Sequence, residues 1–396
     1  MSRSNSRMRK RPDVGLLVET STAYGREIIE GITTYLRTHG EWSIYLEQRE
    51  ERSPLPDWLL KWEGDGIICR WTTPELAQHL RKMKIPVVDL NDRFGYLKLP
   101  RVGSDMIAIG RMAAEHLLER GFRNIAYCGF TEMEWSLARR RGVEDAVSGV
   151  GNFCGALESD IKDVQKFQVE RERKRIVKWL KTLPIPVGIV TCNDVRGYHV
   201  LDALRGLDLV VPEEVAVVGV DNSATYCNIA TPPLSSVRPN TKRVGIEAAA
   251  LLDRMMSGQK PEEPEKLVPP IEVVTRQSSD VLAVPDPLIA RAIQLIRKHA
   301  CDGWRVEDVL SALSVPRPIL ERGFRRYLDR SPHEELRRVR LKRVKQLLSE
   351  TDWTLERIAE RAGFDHPEYM MVQFKRVFGI TPTQWRLENS VDEFSR

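Results

Sequence analysis

This chain lacks the marks of many familiar protein classes. No stretch of its 396 residues approaches the ~18–20 consecutive apolar residues of a membrane-spanning helix, so no membrane partner is expected. Its six cysteines (Cys69, Cys128, Cys154, Cys192, Cys227 and Cys301) form no CxxC pair, and Cys69, Cys128 and Cys192 lie in or beside apolar, strand-like runs. That is the pattern of packed, reduced thiols in a cytoplasmic protein. The seven histidines have no metal-ligand spacing with each other or with cysteine, so no metal is expected. GxSxG, Walker A and HExxH motifs are missing, and no aspartate has a histidine partner at a recognisable catalytic spacing. Neither catalytic residues nor a cofactor is therefore expected. Residues 1–12 are basic and Ser/Asn-rich, and no apolar segment of ~7–15 residues follows directly. They read as a disordered arm rather than a signal peptide. The formal net charge is only +5, too little to announce a nucleic-acid partner by itself.

What the chain does have is one pattern written twice near its end. Phe324 and Phe374 lie fifty residues apart, as do Leu328 and Phe378, Ser331 and Thr381, and Pro332 and Pro382. Each Phe is carried by the second of two short helical patterns joined by a tight turn. The first copy is 306–313, a turn at 314–315, and 317–328. The second is 355–362, a turn at 363–364, and 367–378. Such a pair is a helix-turn-helix unit, whose second helix can enter the DNA major groove. Two copies suit two adjacent groove segments.

The stretch between the copies is locally basic. From Arg317 to Lys345 there are eleven Arg or Lys against four Asp or Glu. Ser331-Pro332-His333-Glu334 is a capping box with Pro at the first helical position, and Thr381-Pro382-Thr383-Gln384 repeats it. The helix after Ser331 sets Leu336, Val339, Val344, Leu347 and Leu348 on one side, with Arg337, Arg338, Arg340, Lys342, Arg343 and Lys345 around them. The plainer alternative is a helical bundle whose basic residues form a solvated face. Duplicated spacing together with the basic connecting helix favours DNA. The DNA-contact candidates are Arg317, Glu321, Arg322 and Arg325 in the first unit, and His366, Glu368, Tyr369, Gln373 and Lys375 in the second.

The stretch Leu355-Glu356-Arg357-Ile358-Ala359-Glu360-Arg361-Ala362-Gly363-Phe364, followed by Phe374-Lys375-Arg376, Phe378-Gly379, Thr381-Pro382 and Trp385-Arg386, resembles the second helix-turn-helix of arabinose-regulator-type (AraC/XylS) transcription factors. The resemblance covers residues 287–388. It implies a double-stranded operator and RNA polymerase as partners.

The first 280 residues alternate strand and helix patterns. Strands are expected at 14–19, 42–46, 66–69, 87–90 and 124–128, with helices at 25–39 and 106–120. A second half repeats the scheme with strands 187–192 and 215–220 and helices 195–207 and 240–256. Alternation of this kind means parallel sheets flanked by helices, and two halves suggest two lobes with a cleft. Ligands of open α/β sheets bind beyond the carboxyl ends of the strands. There the chain places the loop from Glu19 to Arg26, then Asp105, Asn193-Asp194 and Asp221-Asn222. Carboxylates and carboxamides in such positions suit the hydroxyls of a sugar, and Tyr24 or Trp135 could cover its apolar face. The competing reading is that each Asp caps the next helix or loop.

Val211-Pro212-Glu213-Glu214-Val215-Ala216-Val217-Val218-Gly219-Val220-Asp221-Asn222, with Cys192-Asn193-Asp194 upstream, resembles the periplasmic-binding-protein-like sensor of lactose-repressor-type regulators. That resemblance implies effector contacts from Asp105, Asn193, Asp194, Asp221 and an arginine three residues before a glycine, here Arg139 before Gly142. The usual repressor reads DNA from its N-terminus, whereas here the first strand begins at Val14.

A sensor of this type placed ahead of an arabinose-type reader resembles xylose-responsive regulators. The matching positions include Ala23-Tyr24, Arg26, Trp135 and Arg139, read as first-lobe residues. Asp221-Asn222 and Leu234-Ser235-Ser236-Val237 are read as second-lobe residues, and Val268-Pro269-Pro270 follow. The loop at 149–166 and Asn193 depart from the pattern. The resemblance implies D-xylose as effector, a homodimer, and activation of pentose catabolism genes. Another sugar, repression, or a cytoplasmic sugar-binding protein without gene control are the alternatives. The expected layout is an arm at 1–12, a sensor at 13–278, a linker at 279–286 and an all-α double helix-turn-helix domain at 287–390.

Overall fold

A computed structural model describes residues 11–46, 57–70, 72–160, 169–280, 284, 286–351 and 353–389. Arm residues 1–10, loop residues 161–166, linker residues 281–283 and 285, and residue 390 lie outside the described residues. The chain divides into two units, Met1–Asp280 and Val281–Arg396.

The first unit holds two six-stranded sheets. One runs in the order β11-β5-β4-β3-β1-β2, from β1 (Asp13–Leu17), β2 (Ser43–Leu46), β3 (Gly66–Cys69), β4 (Val87–Asp89), β5 (Arg101–Ser104) and β11 (Glu265–Val268). All its pairings are parallel. The other runs β12-β10-β9-β8-β6-β7, from β6 (Asn124–Phe130), β7 (Asn152–Ser159), β8 (Val187–Thr191), β9 (Val215–Val220), β10 (Ser235–Arg238) and β12 (Glu272–Val274). Only the β10–β12 pairing is antiparallel there. Parallel strands covered by helices on both faces read as continuous apolar runs, and β3, β8 and β9 are buried at every position.

The lobes are not consecutive in sequence, which corrects the expected division. Helix Met106–Glu119, strand β6 and helix Glu134–Val147 belong to the second sheet, so Trp135 and Arg139 are second-lobe residues. Helix Thr241–Met256 and β11 return to the first sheet, with Val244, Ala248 and Leu252 in one core with Val14, Ile28 and Ile68. Side-chain periodicity marks a buried face but not which sheet buries it. Two close helix contacts fix the arrangement. A side chain at Gly245 would collide with the Ile28 carbonyl, and one at Gly110 with the Arg139 carbonyl.

All six cysteines are free thiols, four of them buried. His116, on the helix that enters the second lobe, is buried with its Nε2 2.8 Å from Ser279 Oγ.

The second unit is helical throughout its described elements: Pro287–His299, Val306–Leu313, Arg317–Leu328, Pro332–Glu350, Leu355–Arg361, Pro367–Phe378 and Pro382–Asn389. It has two cores, one around Phe324 and one around Phe374, both rings fully buried. Helix Pro332–Glu350 serves both, giving Leu336 and Val339 to the first and Leu341, Val344, Leu347 and Leu348 to the second. The expected capping box at Ser331 forms, and Thr381 exchanges the same pair of bonds with Gln384.

Burial pushes the His116 imidazole down to about 3, and Arg120 adds to the effect. In the unfolded chain it protonates near ~6.5. Its folded value is depressed, so the stability it contributes is present above that unfolded value and is lost as pH falls. Between about pH 7.5 and about pH 5 the wild type should lose about 2 kcal/mol more than His116→Gln, which cannot titrate. Equilibrium urea unfolding at the two pH values measures the difference; equal losses would remove His116 as the titrating group.

Candidate functional site

Parallel order brings the loops after β1, β3, β4, β6, β8 and β9 to the carboxyl edges of the two sheets, and charged side chains collect there. In the first lobe Arg70, directly after β3, pairs with Glu19 and, at 2.8 Å, with Asp92. Its guanidinium lies 4.6 Å from the centre of the Tyr24 ring. Burial opposes the Arg70 charge, but Asp92 and Glu19 outweigh it and hold the group charged. The Tyr24 hydroxyl is 2.8 Å from Ser104 Oγ, and burial, then Asp92, pushes it up to about 12. It therefore stays a neutral hydrogen-bonding group.

In the second lobe Arg139 is buried, donates to the Cys192 carbonyl and stands 3.5 Å from Asp221 Oδ1. Its Nε is buried without a hydrogen-bond partner among the described residues. Trp135 covers the same guanidinium, 5.1 Å from its ring centre, and meets Phe130 edge-on. The lobes touch beside this group, where Glu134 N–H donates to the Arg93 carbonyl at 3.2 Å. Asp221 is raised by burial, against the pull of Arg139, and it also feels Asp92 and Arg70 of the first lobe. Asp221 and Asn222 both have left-handed backbones, φ 103° and 50°, which turn the chain sharply at the end of β9.

The other expected ligand residues divide by role. Asp105 caps helix Met106–Glu119 through Ala108 N–H at 2.9 Å, and Asn193 caps helix Asp194–Leu204 through Arg196 N–H at 3.0 Å. At these two positions the capping alternative describes what the side chain does. Asp194 is buried and accepts from Ser236 Oγ at 2.6 Å and Ser223 N–H at 2.7 Å, bracing the loop that carries Asp221. Burial, then Asp221, raises its carboxyl to about 7. Arg26 is exposed and donates to the carbonyls of Thr20 and Ser21, both at 2.9 Å, so it holds the loop after β1 from outside. Asn222 accepts from Arg276 at 2.8 Å. The residues missed from sequence are Arg70 and Asp92. Both follow strands by one to three positions, so the strand-end reasoning applied at β8 and β9 would have found them at β3 and β4.

In the helical unit, Ser314 (φ 53°) and Gly363 (φ 77°) make the two tight turns in left-handed conformation. On the first recognition helix Glu321, Arg322 and Arg325 are exposed, and Arg317 is half engaged by Glu307 and by Glu321 at 3.6 Å. On the second, His366, Glu368, Tyr369 and Lys375 are exposed. Gln373 is not with them: it is buried and accepts from Arg337 at 3.1 Å. The repeat explains why. Gln373 lies fifty residues after Gly323, which packs against the Ile289 side chain, so both positions face inward, whereas exposed Arg322 corresponds to Val372. Val372 is 63% exposed on the outward face, apolar surface of the kind that meets a thymine methyl.

The basic connecting helix also differs from both readings of it. None of its six basic residues from Arg337 to Lys345 is fully exposed. Arg338 pairs at 2.8 Å with Glu335, a fully buried carboxylate that Arg330 also reaches. Arg340 donates to the carbonyls of Ala300 and Trp304, and Lys345 lies 4.4 Å from the Trp385 ring centre. These cations join the two helix-turn-helix units as well as charging them.

Gln373→Ala should therefore act on stability, by about 1 kcal/mol, as for a lost hydrogen bond, and leave the ranking of DNA sequences unchanged. Chemical unfolding and a binding series on single-base variants measure the two effects. A changed base preference at one position would return Gln373 to the DNA-reading set.

Three family models match the chain: the XylR N-terminal domain over residues 13–102, the periplasmic binding protein-like domain over 114–279, and a helix-turn-helix domain over 310–388. Over 382 residues the chain is 31% identical to the xylose operon regulatory protein of Haemophilus influenzae, covering 94% of this chain and 98% of that protein. Against the protein of the same name from Escherichia coli K12 it is 29% identical over 391 residues, with 96% and 98% covered. Among solved structures, that of the xylose-binding transcription activator xylR matches with a TM-score of 0.80 at 28% identity, covering 96% of this chain and 99% of that one. The cellobiose complex of the regulator CelR matches 68% of this chain and 85% of its own, with a TM-score of 0.56 at 25% identity. The chain is thus a transcription regulator rather than an enzyme, and it belongs to the xylose operon regulatory protein family.

Proposed function

We propose that the sensor binds D-xylose between its lobes and that binding changes how the helical unit engages operator DNA, activating genes of pentose catabolism. The observation that carries this is the convergence of Tyr24, Arg70 and Asp92 from one lobe with Trp135, Arg139 and Asp221 from the other. Guanidinium and carboxylate groups supply donors and acceptors for ring hydroxyls, and Trp135 supplies a flat apolar surface. A ligand that bonds both lobes favours the closed state by its differential affinity for it. The domain layout that goes with this reading is a sensor that runs from 13 to Asp280, two residues past the expected boundary, then a short linker and a DNA-binding domain at 287–390. The protein acts in the cytoplasm as a homodimer on two half-sites and works through RNA polymerase. Gel shift of operator DNA with and without D-xylose tests the whole reading.

Asp221 contributes the most exposed charge of the second-lobe pair. Asp221→Gly suits the left-handed backbone and removes only the side chain. It should weaken D-xylose binding by about 10–100-fold, the worth of one charged hydrogen bond. Calorimetry against a pentose and hexose panel reads this, and unchanged affinity would take Asp221 out of the site.

The recognition helices read successive major-groove segments about one turn, roughly 34 Å, apart. Arg322 makes a base contact in the first, and Val372 meets a thymine methyl in the second. Arg322→Ala should cost about 1–3 kcal/mol and relax preference at one base position. Uniform weakening across single-base operator variants, with a flatter salt dependence, would reassign Arg322 to a phosphate.

A further inference from the structure

The sensor ends in a run of buried hydroxyls. Ser235, Ser278 and Ser279 are fully buried, and such groups persist only when bonded. Ser278 Oγ donates to the Val217 carbonyl at 2.6 Å and accepts from Ser235 N–H at 2.8 Å, while Val217 N–H donates to the Ser278 carbonyl at 2.9 Å. Ser279 Oγ donates to Ser235 Oγ at 2.7 Å. Ser235 Oγ in turn donates to the Arg276 carbonyl at 2.9 Å and accepts from Arg276 N–H at 2.8 Å. Residues 276–279 are thus locked to β9 and β10, and the sensor unit ends one residue later, at Asp280.

The Arg276 side chain points the other way along the same strands. Nη1 donates to the Leu234 carbonyl at 3.1 Å, and Nη2 donates to Asn222 Oδ1 at 2.8 Å. Asn222 follows Asp221 at the effector edge, and its N–H donates to Ser236 Oγ at 2.9 Å. One residue therefore has its backbone in the exit segment and its guanidinium on the residue that follows Asp221.

We infer that Arg276 is a positioning residue that couples occupancy of the effector site to the segment by which the chain leaves the sensor. This rests on the proposed sugar site at Asp221, with Asn222 next to it in the chain. A sugar hydroxyl that bonds the Asn222 carboxamide competes with or reorients its bond to Arg276. The Arg276 backbone cannot absorb that change, because Ser235 holds both its N–H and its carbonyl. The strain passes to residues 276–279. Two arrangements of one hydrogen bond, biased by ligand, make the two-state element that coupling requires.

The test uses the full-length protein, calorimetry with D-xylose, and gel shift with and without D-xylose on an operator selected from random DNA. The ratio of the two DNA affinities is the coupling. Arg276→Met should keep D-xylose affinity within about threefold while the coupling falls from the ~5–150-fold of ordinary allostery to below about twofold. Ser279→Ala should lower the coupling in the same direction with the Asn222 bond intact. Adding Asn222→Gly to Arg276→Met should cause no further loss of coupling, since the pair acts as one link. If Arg276→Met does not fold, as read by circular dichroism, Arg276→Lys and Ser279→Ala decide by the same ratio. Lysine keeps the charge but lacks the fixed two-nitrogen fork that spans Leu234 and Asn222. A full sugar response in the folded variants overturns the inference. So does a loss of coupling that only tracks a loss of sugar affinity. A wild type that binds no D-xylose sinks the site reading itself, and the coupling role with it.

Discussion

Parallel strand pairing is the constraint on which the sensor depends. Strands of one direction deliver their following loops to one edge, and helices must return along both faces to start the next strand. The return helices hide the apolar strands, while the edge is left with short polar loops. Glu19, Arg70 and Asp92 meet there because β1, β3 and β4 are neighbours that end together. Arg139 reaches Asp221 because helix Glu134–Val147 follows β6 and Asp221 follows β9 in the same sheet. The chain crosses between the sheets after β5, after β10 and after β11, so the two lobes stay covalently tied by three segments.

The charges at this edge suit the sugar site proposed for it. A buried guanidinium needs a partner, since an uncompensated buried charge costs several kcal/mol. Arg70 and Arg139 have such partners already, so the site is held in shape before any ligand arrives. A polyol adds hydroxyls to groups whose positions are fixed, which lowers the ordering cost of binding. The two second-lobe carboxylates share the work unequally. Asp194 spends its oxygens on Ser236 and Ser223, and Asp221 keeps part of its surface open. The first shapes the loop on which the second is presented.

The helical unit solves a different problem, that of holding two small reading units in register. Each has a core of its own around one phenylalanine, too small to be rigid alone. The connecting helix runs through both cores, and its arginines bond the Ala300 and Trp304 carbonyls on one side and the Gln373 carboxamide on the other. Cations that would otherwise be counted as a DNA-facing stripe are in part the joint between the units. What remains outward on the recognition helices is a mixed set, with Arg322 on one and Val372 at the matching place on the other.

The helix-turn-helix pair was legible because its signal is local and doubled. A capping box, a left-handed turn residue and a buried phenylalanine each act within a few residues, and the fifty-residue spacing repeats them. The strand alternation was legible for the same reason, as periodicity within one element. Strand-end reasoning also named Asp221, whereas Arg139 was named by family resemblance alone. Other features depended on contacts between elements distant in sequence. Membership of Arg139 in the second lobe, the return of helix Thr241–Met256 to the first, and the inward turn of Gln373 are set by which surfaces pack together. So are the capping roles of Asp105 and Asn193 beside the open role of Asp221, since Asp105 and Asp221 have the same side chain and differ in what stands within hydrogen-bond reach. The sequence by itself determined the elements, their periodicity and the chemistry available at their ends. Only the tertiary structure decided which ends meet, because hydrogen bonding and burial act through space over a few ångströms while the chain separates partners such as Tyr35 and Asp253 by 218 residues.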